Sequence, residues 1–340
     1  MADTMSRREA MSGMGASAAA CQLPAKGKHS GCSHGLIDVH HHIRPPGAPE
    51  GFARLTAKWS PEGAIAEMDA AGIAAGMAYP GPILPSVADK ADRARRFNEY
   101  GATLGQAHSG RFGLFASLPL PDIAATLAEI DFALTALKAD GFGVSTSYGE
   151  AWLGDPMFTP VHEKLNAHDA VVFVHPHDAA CCAPGGMTYI QPGMDGSWID
   201  WPMNTARTIF SLMTSGTLRR FPRIRWIFAH GAGVMPLLVQ RLADFTAWDA
   251  VGPQKMKQLF PQGIEAEFAR LHFEGAQAWT RTNLSALRSL VSDRQILFGS
   301  DYPFFSLEHS VQRFAEASLP AKSRAAIGRG NAARLLPRWG

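Results

Sequence analysis

The 340-residue sequence lacks the features that mark several large classes of protein. It contains no run of about 18 consecutive apolar residues, so we expect no membrane-spanning helix. Its four cysteines are too few for a disulfide scaffold in a chain of this length. The 32 basic and 30 acidic residues give a net charge of +2, which is too balanced for a nucleic-acid-binding surface. We therefore expect a soluble globular protein.

The composition that remains is suited to a large buried core. Hydrophobic residues make up 46% of the chain and charged residues 18%. A rule of about 100–200 residues per domain would allow two domains, but a single α/β barrel commonly reaches about 250 residues. The chain also contains 13 histidines, an unusual surplus in an otherwise ordinary composition.

Residues 1–34 differ from the remainder because they are rich in Ala, Ser, Gly and Met. Arg7 and Arg8, followed by the Ala-rich stretch 10–20, resemble a twin-arginine export signal. The alternative is a disordered, cleavable or vestigial tail, because that stretch is short and lacks Leu, Ile, Val and Phe. We accordingly expect a flexible tail over 1–34 and one domain over 35–340. The protein would be cytoplasmic, or periplasmic if the export signal functions.

From residue 36 onward, short apolar runs alternate with longer helical patterns, including helices over 61–71, 91–107, 123–139, 158–168 and 205–220. Eight such strand–helix units over about 260 residues predict a (β/α)8 TIM barrel. A doubly wound sheet is the alternative, but no Gly-rich fingerprint follows the first strand. The predicted strands span 36–42, 73–79, 112–117, 143–146, 170–175, 225–230, 270–273 and 295–301.

The first predicted strand ends in three consecutive histidines. Side chains alternate along a strand, so His40 and His42 should point to one face and His41 to the other. A single His-x-His pair is weak evidence, because such histidines also occur hydrogen-bonded in protein cores. In a barrel, however, side chains at the carboxyl ends of the strands line the active site.

Three other predicted strands also end in residues that bind metals. The fifth, sixth and eighth predicted strands end in His175, His230 and Asp301, respectively. This convergence on one barrel mouth predicts a metal site with nitrogen and oxygen ligands. Such ligands favour Zn²⁺ and tolerate Mn²⁺ or Fe²⁺.

The same strand ends carry a family resemblance. The stretches 37–42, 175–176, 228–233 and 297–303 resemble the amidohydrolase superfamily, and more narrowly its metal-dependent, non-oxidative decarboxylases. The resemblance covers 36–336. Further stretches at 146–156, 205–218 and 221–222 are most similar to 6-methylsalicylate decarboxylases, which are relatives of aminocarboxymuconate-semialdehyde decarboxylase.

This resemblance implies a role for each strand-end residue. His40, His42, His175 and Asp301 would bind the metal, with Asp301 also donating the proton that replaces the carboxylate. His230 would polarise a metal-bound water or help to move that proton. One metal is expected rather than two, because no lysine stands at the end of the fourth strand to bridge a pair. The family also implies a homodimer.

Four further residues are candidates for binding substrate. Arg241 matches a position that reaches a substrate carboxylate across a dimer interface in related decarboxylases, although it is equally an ordinary surface arginine. Arg44 follows the histidine pair and is a candidate for a second anionic group. Trp198 and Trp201, in a long loop over 179–202, either stack on an aromatic ring or cover the barrel mouth.

The predicted function is metal-dependent decarboxylation of a small hydroxyaromatic or related unsaturated carboxylic acid. Asn204 stands where relatives often have an acid, and Phe273-Glu274-Gly275 replaces an aromatic-acid-threonine stretch. Because of these two departures, the substrate could differ from that of the related decarboxylases. One alternative is a hydrolase of lactones or amides that uses a metal-activated water. Another is a barrel that binds a metal or ligand without catalysis.

Overall fold

The computed structural model describes residues 35–83, 87–180 and 196–340. The predicted tail over 1–34, with its twin-arginine-like segment, lies outside the described residues, as does most of the predicted loop over 179–202. Within the described ranges, no helix has both the length and the apolar character needed to cross a bilayer.

Eight parallel strands form one sheet in the order β1-β2-β3-β4-β7-β8-β9-β10. Two short strands, β5 and β6, pair separately as an antiparallel hairpin. The strands are β1 Leu36–His42, β2 Ile73–Tyr79, β3 Phe112–Ser117, β4 Gly141–Ser145, β5 Ser147–Tyr148, β6 Ala151–Trp152, β7 Val171–His175, β8 Arg225–Phe228, β9 His272–Glu274 and β10 Ile296–Leu297.

Backbone hydrogen bonds close this sheet on itself. The amide of Val39 donates to the carbonyl of Phe298 at 3.1 Å, and the amide of Asp301 donates to the carbonyl of His40 at 2.9 Å. These bonds join β1 to the segment that follows β10. The predicted (β/α)8 barrel is confirmed, although the eighth strand is shorter than the predicted 295–301.

Helices surround the barrel and connect its strands. They are α1 Glu50–Leu55, α2 Pro61–Ala71, α3 Lys90–Ala107, α4 Ile123–Phe132, α5 Thr159–Ala167, α6 Asp200–Thr214, α7 Thr217–Arg220, α8 Met235–Ala243, α9 Gly252–Leu259, α10 Ile264–Phe268, α11 Arg281–Arg288, α12 Leu307–Glu316, α13 Ala321–Ala325 and α14 Asn331–Leu335.

The bounds of α2 follow directly from its sequence. The Ser60 side chain accepts a hydrogen bond from the amide of Gly63, and Pro61 occupies the first helical turn, where no amide donor is needed. Gly72 ends the helix at φ 73°, a left-handed conformation that glycine adopts without strain. The chain then enters β2 at once, as the sequence predicts.

The barrel interior is filled by alternating residues of its strands. Small and large side chains interleave there, and residues near the C-terminus, Leu335 and Leu336, pack against the same cluster. The opposite faces of the strands pack against the helices. The inward-facing strand residues are Ile37, Val39, Ala75, Met77, Tyr79, Phe115, Val171, Phe173, Ile227, Ala229 and Leu297.

One histidine far from the strand ends is buried among aromatic rings. His162 of α5 lies 5.6 Å from Phe221 and 5.9 Å from Trp226, measured between ring centroids. Burial, with the positive charge of Arg220 nearby, lowers the pKa of His162 to about 4. His162 is therefore a packing residue of the core between α5 and the barrel.

Acid should destabilise the fold through His162. In the unfolded chain this imidazole binds a proton below about pH 6.5, whereas in the fold it does so only near pH 4. The free energy of unfolding should therefore fall as the pH drops from 6.5 to 4, by up to about 3 kcal/mol from this residue.

Urea unfolding across this pH range will test the effect. His162→Leu should make the pH dependence less steep, because no titratable group remains at that buried position, although other buried histidines such as His272 still contribute. His168→Leu, at the exposed end of the same helix, is the matched control and should leave the dependence unchanged. An equally steep dependence in the His162 variant would contradict the prediction.

Candidate metal-binding active site

A one-residue irregularity in β1 places the two histidines of the His-x-His pair. Asp38 pairs with Gly76 and His41 with Ala78, so β1 gains one residue relative to β2 between these points. Strict alternation from the inward-facing Ile37 and Val39 would have turned His41 into the barrel. The bulge reverses this parity, and His40 and His42 face inward instead.

The ring contacts agree with this orientation. The His40 ring lies 4.9 Å from that of Phe173, an interior residue, and 5.0 Å from that of His175. The His41 ring stacks on that of Tyr302 at 4.8 Å, and its Nδ1 lies 3.0 Å from Asp38 Oδ2. The expected split between the inward pair and His41 is therefore what the structure shows.

The side chains of His40, His42, His175 and Asp301 meet at the barrel mouth. Within this group, one potential ligand atom from each residue lies within 4.8 Å of every other. The Nε2 atoms of His40 and His42 are 3.1 Å apart. Asp301 Oδ1 lies 3.1 Å from the first nitrogen and 3.3 Å from the second. The structure thus brings together all four residues predicted to bind the metal.

The outer nitrogens of two of these histidines are already engaged. His40 Nδ1 lies 2.9 Å from Glu274 Oε1, and His175 Nδ1 lies 2.7 Å from the carbonyl oxygen of Pro176. Because those oxygens only accept hydrogen bonds, each Nδ1 carries the proton. In its neutral form, each imidazole then has a lone pair on Nε2 directed into the cluster, which is how histidine ligands are commonly oriented.

The electrostatics favour a positive charge at the centre of the cluster. Although burial opposes protonation, the carboxylates of Asp301 and Glu274 raise the pKa of His40 to about 10. Burial lowers the pKa values of His42 and His175. Although burial also opposes ionisation of Asp301, His40 holds its pKa well below the usual range. His42, His175 and Asp301 are therefore in the forms that bind metal ions, whereas His40 must give up its Nε2 proton to the solvent when a metal ion takes over the positive charge.

The donor set fits one divalent transition-metal ion. Asp301 Oδ1 is buried and accepts no hydrogen bond of good geometry from the residues that the structure describes. Three imidazole nitrogens and one carboxylate oxygen suit Zn²⁺ or Mn²⁺. A neighbouring group of His40, His230 and Glu274 shares His40 with the first, and its carboxylate is already hydrogen-bonded on both oxygens.

Glu274, at the end of β9, is a functional residue that the sequence motifs do not identify as a partner of His40. It is fully buried, and its Oε1 accepts from the amide of His230 at 2.7 Å as well as from His40. Its Oε2 accepts from the amide of Ala276 at 2.6 Å. The signal in the sequence is an acid at a strand end, which the family comparison predicts to affect the substrate. Its contacts show that it orients His40.

Asp38 fixes the relative positions of His40 and Asp301. Its Oδ1 accepts from the amides of His40 and Ser300, at 3.1 and 3.0 Å. Its Oδ2 accepts from the Ser300 hydroxyl at 2.6 Å. Since Ser300 directly precedes Asp301, this buried carboxylate joins the two ends of the sheet where ligands from both must meet.

His230 lies just beyond β8, in a turn rather than in the predicted strand 225–230. Four consecutive residues have positive φ, with His230 at 56°. Two of them are not glycine, and such backbone strain is common at functional sites. His230 Nδ1 lies 3.3 Å from the Ala276 carbonyl oxygen, which leaves its Nε2 with a lone pair. Its ring is 5.1 Å from that of His40.

The two candidate tryptophans occupy different environments. The Trp201 ring is half-buried and lies edge-on to that of His175, at 5.7 Å and 75°. Trp198 is 71% exposed. The Asn204 side chain donates to the carbonyl of His177 at 2.9 Å, so the position where relatives often have an acid serves a backbone contact here.

The two candidate arginines make no hydrogen bond or ion pair with the metal ligands among the described residues. Arg44 Nη1 donates to the carbonyl of Ala57 at 3.4 Å, and Arg241 is exposed on α8. No contact of either side chain with the four-residue cluster is found among the described residues. Their roles in substrate binding therefore stay predictions.

A (β/α)8 barrel with three histidines and an aspartate at its strand ends defines a protein of the metal-dependent amidohydrolase type. The chain belongs to the amidohydrolase family, whose model matches residues 37–338. It is 32% identical over 322 residues to the 6-methylsalicylic acid decarboxylase of Penicillium expansum, with 89% of this chain and 96% of the relative covered. The predicted family is thus confirmed.

Solved structures of other family members share this fold. A 2,6-dihydroxybenzoate decarboxylase complexed with 2,6-dihydroxybenzoate has a TM-score of 0.79 and 23% identity, covering 89% of this chain and 99% of that one. A dihydroxybenzoic acid decarboxylase from Polaromonas sp. JS666, with bound manganese and 2-nitroresorcinol, has a TM-score of 0.74 and 21% identity, covering 89% and 97%. These named relatives agree with the carboxy-lyase that the sequence predicts.

Proposed function

We propose that this protein is a metal-dependent, non-oxidative decarboxylase of a small hydroxyaromatic acid similar to 6-methylsalicylate. The observation that carries the proposal is the cluster of His40, His42, His175 and Asp301, in a chain 32% identical to a 6-methylsalicylic acid decarboxylase. The cluster supplies the ligands, and the relative indicates the chemistry for which they are used.

One divalent ion would be held by the four clustered residues. We propose Zn²⁺, because three imidazoles and one carboxylate form a ligand set that it favours. Mn²⁺ is the alternative, and it is the metal bound in the Polaromonas relative. When bound, the ion supplies positive charge that orients the carboxylate and phenolate oxygens of an ortho-hydroxy acid.

Asp301 would protonate the ring carbon that bears the carboxylate. Its pKa lies well below the usual range in this environment, so the carboxylate must first take a proton from the arriving substrate or from water. Transfer of that proton makes the ring carbon tetrahedral. The carbon–carbon bond then breaks, its electron pair restores the aromatic ring, and CO₂ leaves. Overall, a carboxylate and one proton become an arene and CO₂.

His230 would pass the proton towards Asp301. The Ala276 carbonyl holds the proton of His230 on Nδ1, so Nε2 is the nitrogen that accepts a proton from solvent or substrate. Glu274 fixes the backbone at this residue through the 2.7 Å bond to its amide. Trp201, which lies against His175, would provide an aromatic wall for the substrate ring.

The test is a decarboxylation screen on protein purified without added metal. Elemental analysis should find about one equivalent of transition metal per chain, and incubation with 6-methylsalicylate and related hydroxybenzoates should release CO₂. Two equivalents of metal would contradict the single-ion site. Steady hydrolysis of lactones or amides, without CO₂ from any acid, would overturn the proposal in favour of the hydrolase alternative.

We also propose that the protein is a homodimer. Large apolar side chains are exposed on adjoining helices: Met203 and Phe210, seven residues apart on α6, and Leu237 on α8, which is 67% exposed. Arg241 lies one turn after Leu237 on the same helix. Sedimentation velocity at micromolar concentration should give about twice the chain mass of 36.6 kDa, and a purely monomeric species would contradict the proposal.

A further inference from the structure

Two short stretches beside the metal cluster are tied to each other by side-chain hydrogen bonds. The indole nitrogen Nε1 of Trp201 donates to Asp178 Oδ1 at 2.7 Å. Asn204 Nδ2 donates to the carbonyl of His177 at 2.9 Å. These bonds join the chain just after β7 to the first turn of α6.

The Asp178 carboxylate is confined where it meets the indole. A β-carbon built on Gly196 would lie 2.5 Å from Asp178 Oδ1 and 3.6 Å from Trp201 Nε1. A side chain at position 196 would therefore push the Asp178 carboxylate away from its present position. Asp178 and Trp201 are both half-buried, so the bond is partly shielded from water.

The position of Trp201 bears directly on the metal cluster. Its ring lies edge-on to that of His175, 5.7 Å away, and the opposite nitrogen of His175 is engaged by the Pro176 carbonyl. An indole rotates about two side-chain torsions, and a charge-assisted hydrogen bond at its nitrogen restricts both. Asp178 therefore determines how the indole faces the barrel mouth.

We propose that Asp178 is a positioning residue that holds the Trp201 indole as a fixed wall beside His175, and that this wall recognises the flat ring of an aromatic acid. The inference rests on the proposed function for its substrate class. Asp178 would not touch the substrate itself but would hold Trp201, which does. Asn at position 178 should preserve the wall, because its side-chain oxygen still accepts from the indole, whereas Ala should release it.

Hydrogen exchange of the Trp201 indole N–H tests the contact without turnover. In zinc-loaded, ¹⁵N-labelled full-length protein, the signal that disappears in Trp201→Phe identifies this group. Its exchange with solvent should be about tenfold faster in Asp178→Ala than in the wild type, and nearly unchanged in Asp178→Asn. Equal exchange rates of the Trp201 indole N–H in the wild type and in Asp178→Ala would show that Asp178 does not hold the indole.

Binding of 2-nitroresorcinol to the metal-loaded protein, measured by calorimetry, tests the wall. Asp178→Ala should weaken binding about tenfold, which corresponds to ~1.4 kcal/mol. Asp178→Asn should bind nearly as the wild type does. The double variant Asp178→Ala, Trp201→Phe should bind no more weakly than Trp201→Phe alone, because the carboxylate acts through the indole. Trp248→Phe, at an exposed tryptophan between α8 and α9 that has no role in the site, is the matched control and should bind normally.

The kinetic form of the test uses whichever hydroxybenzoate is decarboxylated. Asp178→Ala should raise KM about tenfold with a smaller change in kcat, because the wall positions the ring and takes no part in proton transfer. Additive effects of the two substitutions on binding would overturn the proposal. Absence of CO₂ release by the wild type would instead overturn the proposed function. The exchange experiment would still show whether Asp178 holds the Trp201 indole.

Discussion

Replacement of Asp301 by asparagine is expected to reduce CO₂ release about a thousandfold. The amide has no proton that it can donate to the ring carbon, and general acid catalysis typically contributes about 10²–10⁴-fold. The substitution also removes the negative charge that lies 3.1 Å from His40 Nε2 and 3.3 Å from His42 Nε2. Both effects act on the reaction centre.

The fold should survive this substitution. Asp301 has φ 62°, and asparagine is among the residues that best tolerate this left-handed region. Its backbone bonds, from its own amide to His40 and from Phe304 to its carbonyl, do not involve the side chain. The loss of activity would therefore report on the carboxylate itself.

Turnover and metal content should be measured together on the Asp301→Asn variant. Asp122→Asn is the matched control, because Asp122 is an exposed helix cap whose side-chain oxygen is retained in asparagine. The control should have wild-type activity. More than a tenth of wild-type turnover in Asp301→Asn, at full metal occupancy, would be inconsistent with Asp301 as the proton donor.

Replacement of Glu274 by glutamine is expected to weaken metal binding about 10- to 100-fold, the usual cost of losing a partner that orients a histidine ligand. Both carboxylate oxygens of Glu274 accept hydrogen bonds, from His40, His230 and Ala276. A glutamine presents an NH₂ group to at least one of these donors. The buried negative charge beside His40 is lost as well.

A competition titration with a metal chelator will measure this effect. Glu129→Gln is the matched control, because Glu129 is also a buried carboxylate and binds Asn98 and Arg95 at 2.8 and 2.9 Å, with no hydrogen bond to a predicted metal ligand. Both variants should lose stability, by roughly 1–3 kcal/mol. Only Glu274→Gln should lose metal affinity, and equal affinities in the two variants would contradict the role given to Glu274.

The positions of the predicted ligands followed from a general rule about barrels. Because parallel strands all point the same way, residues that end them meet at one rim whatever the details of packing. His175 and Asp301 are far apart in the sequence, and only this rule connects them. The placement of Asp301 does not depend on the predicted length of the last strand. β10 is only two residues long, yet the amide of Asp301 still bonds to β1.

The sequence does not identify the residues that hydrogen-bond to the metal ligands and hold them in place. Glu274 and Asp38 act through hydrogen bonds to backbone amides and ring nitrogens that belong to distant strands. No spacing in the sequence encodes such a bond, because its partners are set by the register between strands. The hydrogen bond from Trp201 to Asp178 is likewise not encoded by any spacing in the sequence. It depends on how the chain after β7 packs against the start of α6.

The alternation of strands and helices, the barrel and the residues at its mouth all follow from the amino-acid sequence, because the hydrophobic pattern of each segment and the common direction of the strands suffice to predict them. Which face of β1 turns inward depends instead on how the strands pair in three dimensions. The interior residues Ile37 and Val39 would by alternation have placed His41 in the barrel. The added residue between Asp38 and His41 reverses this parity, and it lies where β1 pairs with β2 on one side and bonds to Ser300 and Asp301 on the other, contacts that no local pattern encodes.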